Sequence, residues 1–157
     1  ILSKNPEELK KIVKEYNEKL AKLGTELAKS QFSYKVEEKT DEKYWIQRIA
    51  NFKKHNEKSL EYYNEVYSMI KEVKEDEAEI FLLGIAKFRQ TGVELLNTMT
   101  KIIENPSIIK SKDTQQSQWS KDIRKKLTEQ SDECLRFEKE INTSFREFYD
   151  KFVKVMN

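Results

Sequence analysis

The stretch Val73-Lys74-Glu75-Asp76-Glu77-Ala78-Glu79-Ile80-Phe81 decides the fold of this chain. Before it, Trp45, Ile49, Phe52, Asn56, Ser59, Tyr63, Val66, Ile70 and Val73 follow one another in steps of four and three, a helical seam widened by Ile46, Leu60 and Tyr67. After it, Phe81, Ile85, Phe88, Gly92, Leu95, Met99 and Ile102 keep the same steps in a different phase. Carrying on from Val73 would turn Glu77, Ile80, Gly84 and Lys87 inward instead. The stretch contains neither Gly nor Pro, so two foldings compete. Either Asp76 caps a new, antiparallel helix after a tight turn, or a four-residue stutter lets one helix run from about 41 to 104. The turn is the expectation, because uninterrupted helices beyond ~25 residues are uncommon in globular domains.

The flanking segments read as two further helices. Asn5 is a candidate N-cap, with Pro6 at the first helical position and Glu7 and Glu8 in the first turn. Leu9, Val13, Tyr16, Leu20, Leu23 and Leu27 then form a narrow apolar stripe. The periodicity fades after Phe32 and Tyr34, and Thr40 or Asp41 can start the next helix. Asn105-Pro106 ends the segment begun near 77, since the proline ring pushes its predecessor out of helical geometry. Residues 107–118 are polar and aperiodic. The last stripe holds Ile123, Leu127, Gln130, Cys134, Phe137, Ile141, Phe145, Phe148, Phe152 and Val155. The expectation is one all-α domain over 1–157, an antiparallel up-down-up-down four-helix bundle with helices at about 5–36, 41–74, 77–104 and 115–156. A polar loop at 107–118 connects the last two.

The charges exclude several partners. Thirty Lys and Arg stand against 28 Asp and Glu, a formal net charge of +2. The balance holds along the chain, with nine basic and seven acidic residues in 1–40, seven of each in 41–75, five in 76–112 and nine in 113–157. A surface that tracks nucleic acid needs a one-signed stripe, and only local clusters such as Arg124-Lys125-Lys126 occur, so no nucleic acid is expected. No apolar run approaches the ~18 residues of a transmembrane span. The lone Cys134 can form no internal disulfide, and together these features favour the cytoplasm over export.

No catalytic, cofactor or metal motif stands on the scaffold. Metal sites in bundles use Glu-x-x-His pairs, yet the single histidine, His55, has Phe52 three residues before it and reads as a surface residue beside Lys53 and Lys54. Gly24, Gly84 and Gly92 are too far apart for a phosphate loop. Cys134, on the stripe between Leu127 and Phe137, reads as a buried thiol. Neither an enzyme nor a cofactor is expected.

Two constellations remain. Antiparallel alignment from Trp45 puts Asn56 opposite Gly92 and level with Gln130, with Gly24 in the same zone. Such a central polar layer would set helix register, or else hold a small ligand. Trp45 and Trp119 fall at one end with Phe32 and Tyr34, as an aromatic plug or as anchors for a partner, and Tyr62, beside seam residue Tyr63, is expected to point outward as a further anchor. The function expected is non-catalytic: an interaction or scaffolding module that binds another protein through a helix face or the tryptophan end. If 41–104 were one helix, the order of three long kinked helices would resemble a BAR domain. That resemblance implies an elongated dimer on curved membranes, and it is the alternative. A small-ligand carrier or sensor using the polar layer is a third reading.

Overall fold

The computed structural model describes residues 5–33, 42–104 and 118–153, with the side chains of 118–121 excepted. Four helices make up the described chain: α1 (Pro6–Lys29), α2 (Glu42–Val73), α3 (Asp76–Glu104) and α4 (Gln118–Val153). The phase break at Val73 is a turn. The Lys74 N–H donates to the Ile70 carbonyl at 2.9 Å, and Lys74 itself adopts φ 52°, the left-handed geometry that closes helices. The Glu75 carbonyl accepts from Ala78 and Glu79 to open α3. The single long helix, and with it the BAR-like order, is thereby excluded.

Left-handed geometry is costly for a side chain bearing a Cβ and free for glycine. Lys74→Gly is therefore expected to raise stability by about 0.5–1 kcal/mol. Urea denaturation would measure it, and a loss of stability would mean that the lysine side chain contributes more than its backbone costs.

Packing contacts join α1 to α2, α2 to α3 and α3 to α4, and lighter contacts between α1 and α4 close the ring. All three sequential pairs are antiparallel. Lys19 meets Glu65 and Glu26 meets Lys58 across α1 and α2; Asn56 meets Gly92 and Ser59 meets Arg89 across α2 and α3; Glu77 of α3 meets Lys151 of α4. The result is the expected four-helix bundle, its strongest packing following chain order.

The helix ends differ from expectation mainly at α1. Asn5 caps it, accepting from the Glu8 N–H at 2.9 Å. It stops at Lys29 and does not reach 36, because the Ser30 hydroxyl donates to the Glu26 and Leu27 carbonyls and its N–H closes a tighter turn onto Leu27. Phe32 then folds back onto the core, 6.2 Å from the Trp45 ring and 6.4 Å from that of Phe52. The connection at 107–117 lies outside the described residues.

The core follows the stripe of α1 and the whole predicted seam of α3 from Phe81 to Ile102. On α2 the inward set is Trp45, Ile49, Phe52, His55, Ser59, Tyr62, Val66, Met69 and Val73. His55, Tyr62 and Met69 replace the expected Asn56, Tyr63 and Ile70. Both sets share Trp45, Phe52, Ser59, Val66 and Val73. They differ in whether the inward residue between these lies three or four positions after Phe52, Ser59 and Val66, and the bundle buries the one three positions on, against the expected phase. Three expectations fall with it. His55 is buried rather than on the surface, Tyr62 is buried rather than pointing outward, and Ile46, Leu60 and Tyr67 lie in solvent rather than widening the core.

Candidate functional site

Two places in the bundle carry more than packing, and the first is its buried polar centre. From α2, the His55 ring is 1% exposed, stacked on Phe52 at 4.7 Å and edge-on to Phe88 at 5.5 Å. Its Nε2 lies 3.5 Å from Oε1 of Glu138 on α4, which is also buried. Neither His55 Nδ1 nor Glu138 Oε1 has a hydrogen-bond partner. One turn along α2, the Ser59 hydroxyl donates to the Asn56 carbonyl at 2.8 Å and accepts from Arg89 Nε at 3.3 Å.

Asn56 and Gly92 are brought together. Asn56 Nδ2 donates to the Gly92 carbonyl at 3.2 Å, and a Cβ at position 92 would collide with Asn56 Oδ1. Gly92 is glycine because the asparagine head occupies the space beside its Cα. Gln130 and Gly24 take no part in this contact. The residue of α4 that faces α2 here is Glu138, eight positions beyond Gln130, whose own buried Oε1 has no partner. Gly24 instead borders a cavity of about 10 Å³, lined also by Ser59, Tyr62, Phe88, Glu138 and Asn142.

This centre is poorly built for chemistry. A cavity of about 10 Å³ has room for one water, whereas pockets for organic ligands run to several hundred. No group of three or more His, Cys, Asp or Glu side chains that could hold a metal occurs among the described residues. Burial pushes the Cys134 thiol up to about 11, and the nearby Glu138 and Glu133 carboxylates add to this against an opposing hydrogen bond with Thr91. At neutral pH it is a protonated, enclosed thiol and a poor nucleophile. Burial likewise raises the Tyr62 phenol well above its usual range.

The second place is the outer surface, and the anchors expected there are mostly absent. Trp45 is 3% exposed, sealed by Phe32 and set edge-on to Tyr44 at 5.0 Å, so it plugs the core and offers no ring to a partner. Tyr62 is equally enclosed. Tyr34 and the Trp119 side chain lie outside the described residues.

The exposed large apolar residues are others: Ile46, Leu60 and Tyr67 on α2, and Ile80, Leu83 and Val93 on α3. None among the described residues lies on α1 or α4. Leu60 stands four residues past Asn56, which touches α3, and Val93 four past Arg89, which touches α2, so both rim the outer groove between α2 and α3. Ile80 borders the neighbouring α3–α4 crevice with Phe148 and Lys151. The opposite groove, between α1 and α2, is spanned by charge: Lys58 bridges Glu61 and Glu26, each at 3.3 Å, and these hydrogen bonds raise its pKa, while Lys19 lies 3.9 Å from Glu65.

The surface signal is present in the sequence as the seven-residue spacing of positions 46, 53, 60 and 67, of which the expectation above turns Ile46, Leu60 and Tyr67 toward the core. No helix of the described residues is long and apolar enough to cross a membrane. No family model matches this chain, and no curated protein or solved structure matches it at a significant level.

Proposed function

We propose that this protein is a non-catalytic helical interaction module that binds another protein through the outer face of α2 and α3. The observation that carries the reading is that, among the described residues, the exposed large apolar side chains all lie on α2 and α3. Leu60 and Val93, each 43% exposed, rim the α2–α3 groove, Ile46 at 51% and Tyr67 at 47% continue the α2 row, and Ile80 at 67% and Leu83 at 63% add exposed apolar surface on α3, Ile80 toward α4. Water-exposed apolar side chains scattered singly need no explanation, but a contiguous set rimmed by polar residues marks contact sites. The bundle supplies a rigid platform beneath them, and the buried polar centre fits the role of fixing helix register.

The test is site-specific photo-crosslinking in cells that make the protein. Benzoylphenylalanine in place of Leu60 should give protein adducts that the same group in place of the exposed Lys11 on α1 does not. A Val93→Asp change on the facing helix should remove them. Identical adducts from both positions, or none from position 60, would overturn the reading.

A further inference from the structure

Resting on that reading, we infer that the occupant of the α2–α3 groove is a long amphipathic helix carrying acidic side chains beside its apolar stripe. Three observations point to it. The exposed apolar residues of α2 recur at a strict interval, Ile46, Leu60 and Tyr67, with Lys53 at the one position of the series that is not apolar. A seven-residue interval is the repeat by which one helix follows another in a supercoil, and a flat or irregular partner would have no use for it. From 46 to 67 the series extends about 31 Å at 1.5 Å per residue, long enough to seat some six turns of helix.

The facing wall is suited to the same occupant. Val93 stands on the α2 side of α3, next to Gly92, whose missing side chain lets the two helices approach closely. The groove therefore has apolar walls on both sides.

The charges select the partner's sign. Lys53 is exposed and has no ion-pair partner among the described residues. Lys71 lies with its Nζ 4.7 Å above the Tyr67 ring, at the end of the series. Arg89, on the opposite wall, turns its guanidinium toward the neutral Ser59 hydroxyl. Glu57, one turn from Lys53, does not pair with the lysine, and Glu42 lies beside Ile46 at the opposite end of the row from Lys71. A helix laid in the groove would meet cations at its middle and at one end, so acidic residues there would gain and basic ones would lose. A second copy of this chain fits less well, because antiparallel pairing of the series would set Lys53 against Leu60.

Two synthetic 28-residue helical peptides test this by fluorescence polarisation with the full chain. Each carries one leucine stripe at heptad spacing, and they differ only in having Glu or Lys at the two central positions beside it. The Glu peptide is expected to bind at least tenfold more tightly, with the gap narrowing as salt rises. Lys53→Glu should reverse the preference, and Leu60→Asp, an exposed position whose effect on folding is checked by thermal melting, should weaken both peptides at least tenfold. Equal affinity for the two peptides, or a preference indifferent to Lys53→Glu, would overturn the inference. So would self-association in sedimentation that Leu60→Asp abolishes, or Leu60-dependent binding to phosphatidylserine vesicles without peptide binding. Crosslinked adducts at position 60 with no peptide preference would sink the acidic helix and leave the interaction module standing; loss of both would sink the two together.

Discussion

Replacing His55 with alanine is expected to cost about 3–5 kcal/mol of folding stability, among the largest effects of any single change in the bundle. The ring fills the space between Phe52 and Phe88 and is almost wholly enclosed, so truncation leaves a cavity that three helices border. It also removes the imidazole that faces Glu138 Oε1, an oxygen that already lacks a hydrogen bond. A buried carboxyl deprived of its counterpart is costly to retain.

Packing and polarity can be separated. His55→Phe keeps most of the volume and strands Glu138, and about 2 kcal/mol of loss is expected. Glu138→Met alone strands the imidazole. Combining the two removes both polar groups from an apolar setting, and the double variant should match or exceed the parent, as replacing buried ion pairs with packed apolar residues often does. Urea denaturation of the four proteins measures the cycle. A double variant that loses the sum of the single losses would show that His55 and Glu138 are not coupled and that each stabilises the bundle through other contacts, which would overturn this reading.

The same residue shows where the sequence becomes hard to read. The fold was legible because its information is repeated: the α3 seam from Phe81 to Ile102 has an apolar residue or glycine at each four-three step, with Thr91 and Thr98 buried beside it, and any two turns give the phase. The turn at Lys74 was legible as a phase break, although the residue that makes it carries a Cβ in left-handed geometry and so bears no glycine signature. On α2 the apolar residues are dense enough for two neighbouring phases to be read from the same letters. Tyr62 and Tyr63, or Met69 and Ile70, serve equally well in a pattern count, because a seam of period 3.5 can take its second residue three or four positions after the first, and only the placement of the neighbouring helices chooses between them. His55 was lost for a second reason. An imidazole flanked by lysines looks solvated, and what buries it is a carboxylate more than eighty positions away on α4, a pairing no local pattern encodes. The exposed set at 46, 60 and 67 was lost by the same error from the other side, since residues counted as core cannot be counted as surface. Asn56 and Gly92 are placed together by antiparallel counting from Trp45, which depends on the turn between α2 and α3 and not on which neighbouring phase faces inward.

That contact gives an inversion of the usual glycine rule. Within a helix, Gly→Ala ordinarily stabilises by about 0.5–1 kcal/mol, through a smaller loss of backbone entropy on folding. Gly24 and Gly84 should obey, because nothing lies within 4 Å of where their Cβ atoms would sit. Gly92 should not. Its Cβ would run into the Asn56 amide, which must swing away and give up its 3.2 Å bond to the Gly92 carbonyl. Displacing a well-packed neighbour costs about 1–3 kcal/mol and losing the hydrogen bond about 1 more, so a net loss near 2 kcal/mol is expected after the helix gain. Asn56→Ala by itself should cost about 1 kcal/mol. In combination with Gly92→Ala it removes the obstruction, and the pair should return close to the parent while each single change is harmful, a coupling that independent sites cannot produce. Thermal or urea unfolding of all five variants would display it. If Gly92→Ala stabilised to the same degree as Gly24→Ala, the asparagine would be yielding freely, α2 and α3 would be held together by their apolar residues alone, and the close approach that shapes the groove between Leu60 and Val93 would not depend on this glycine.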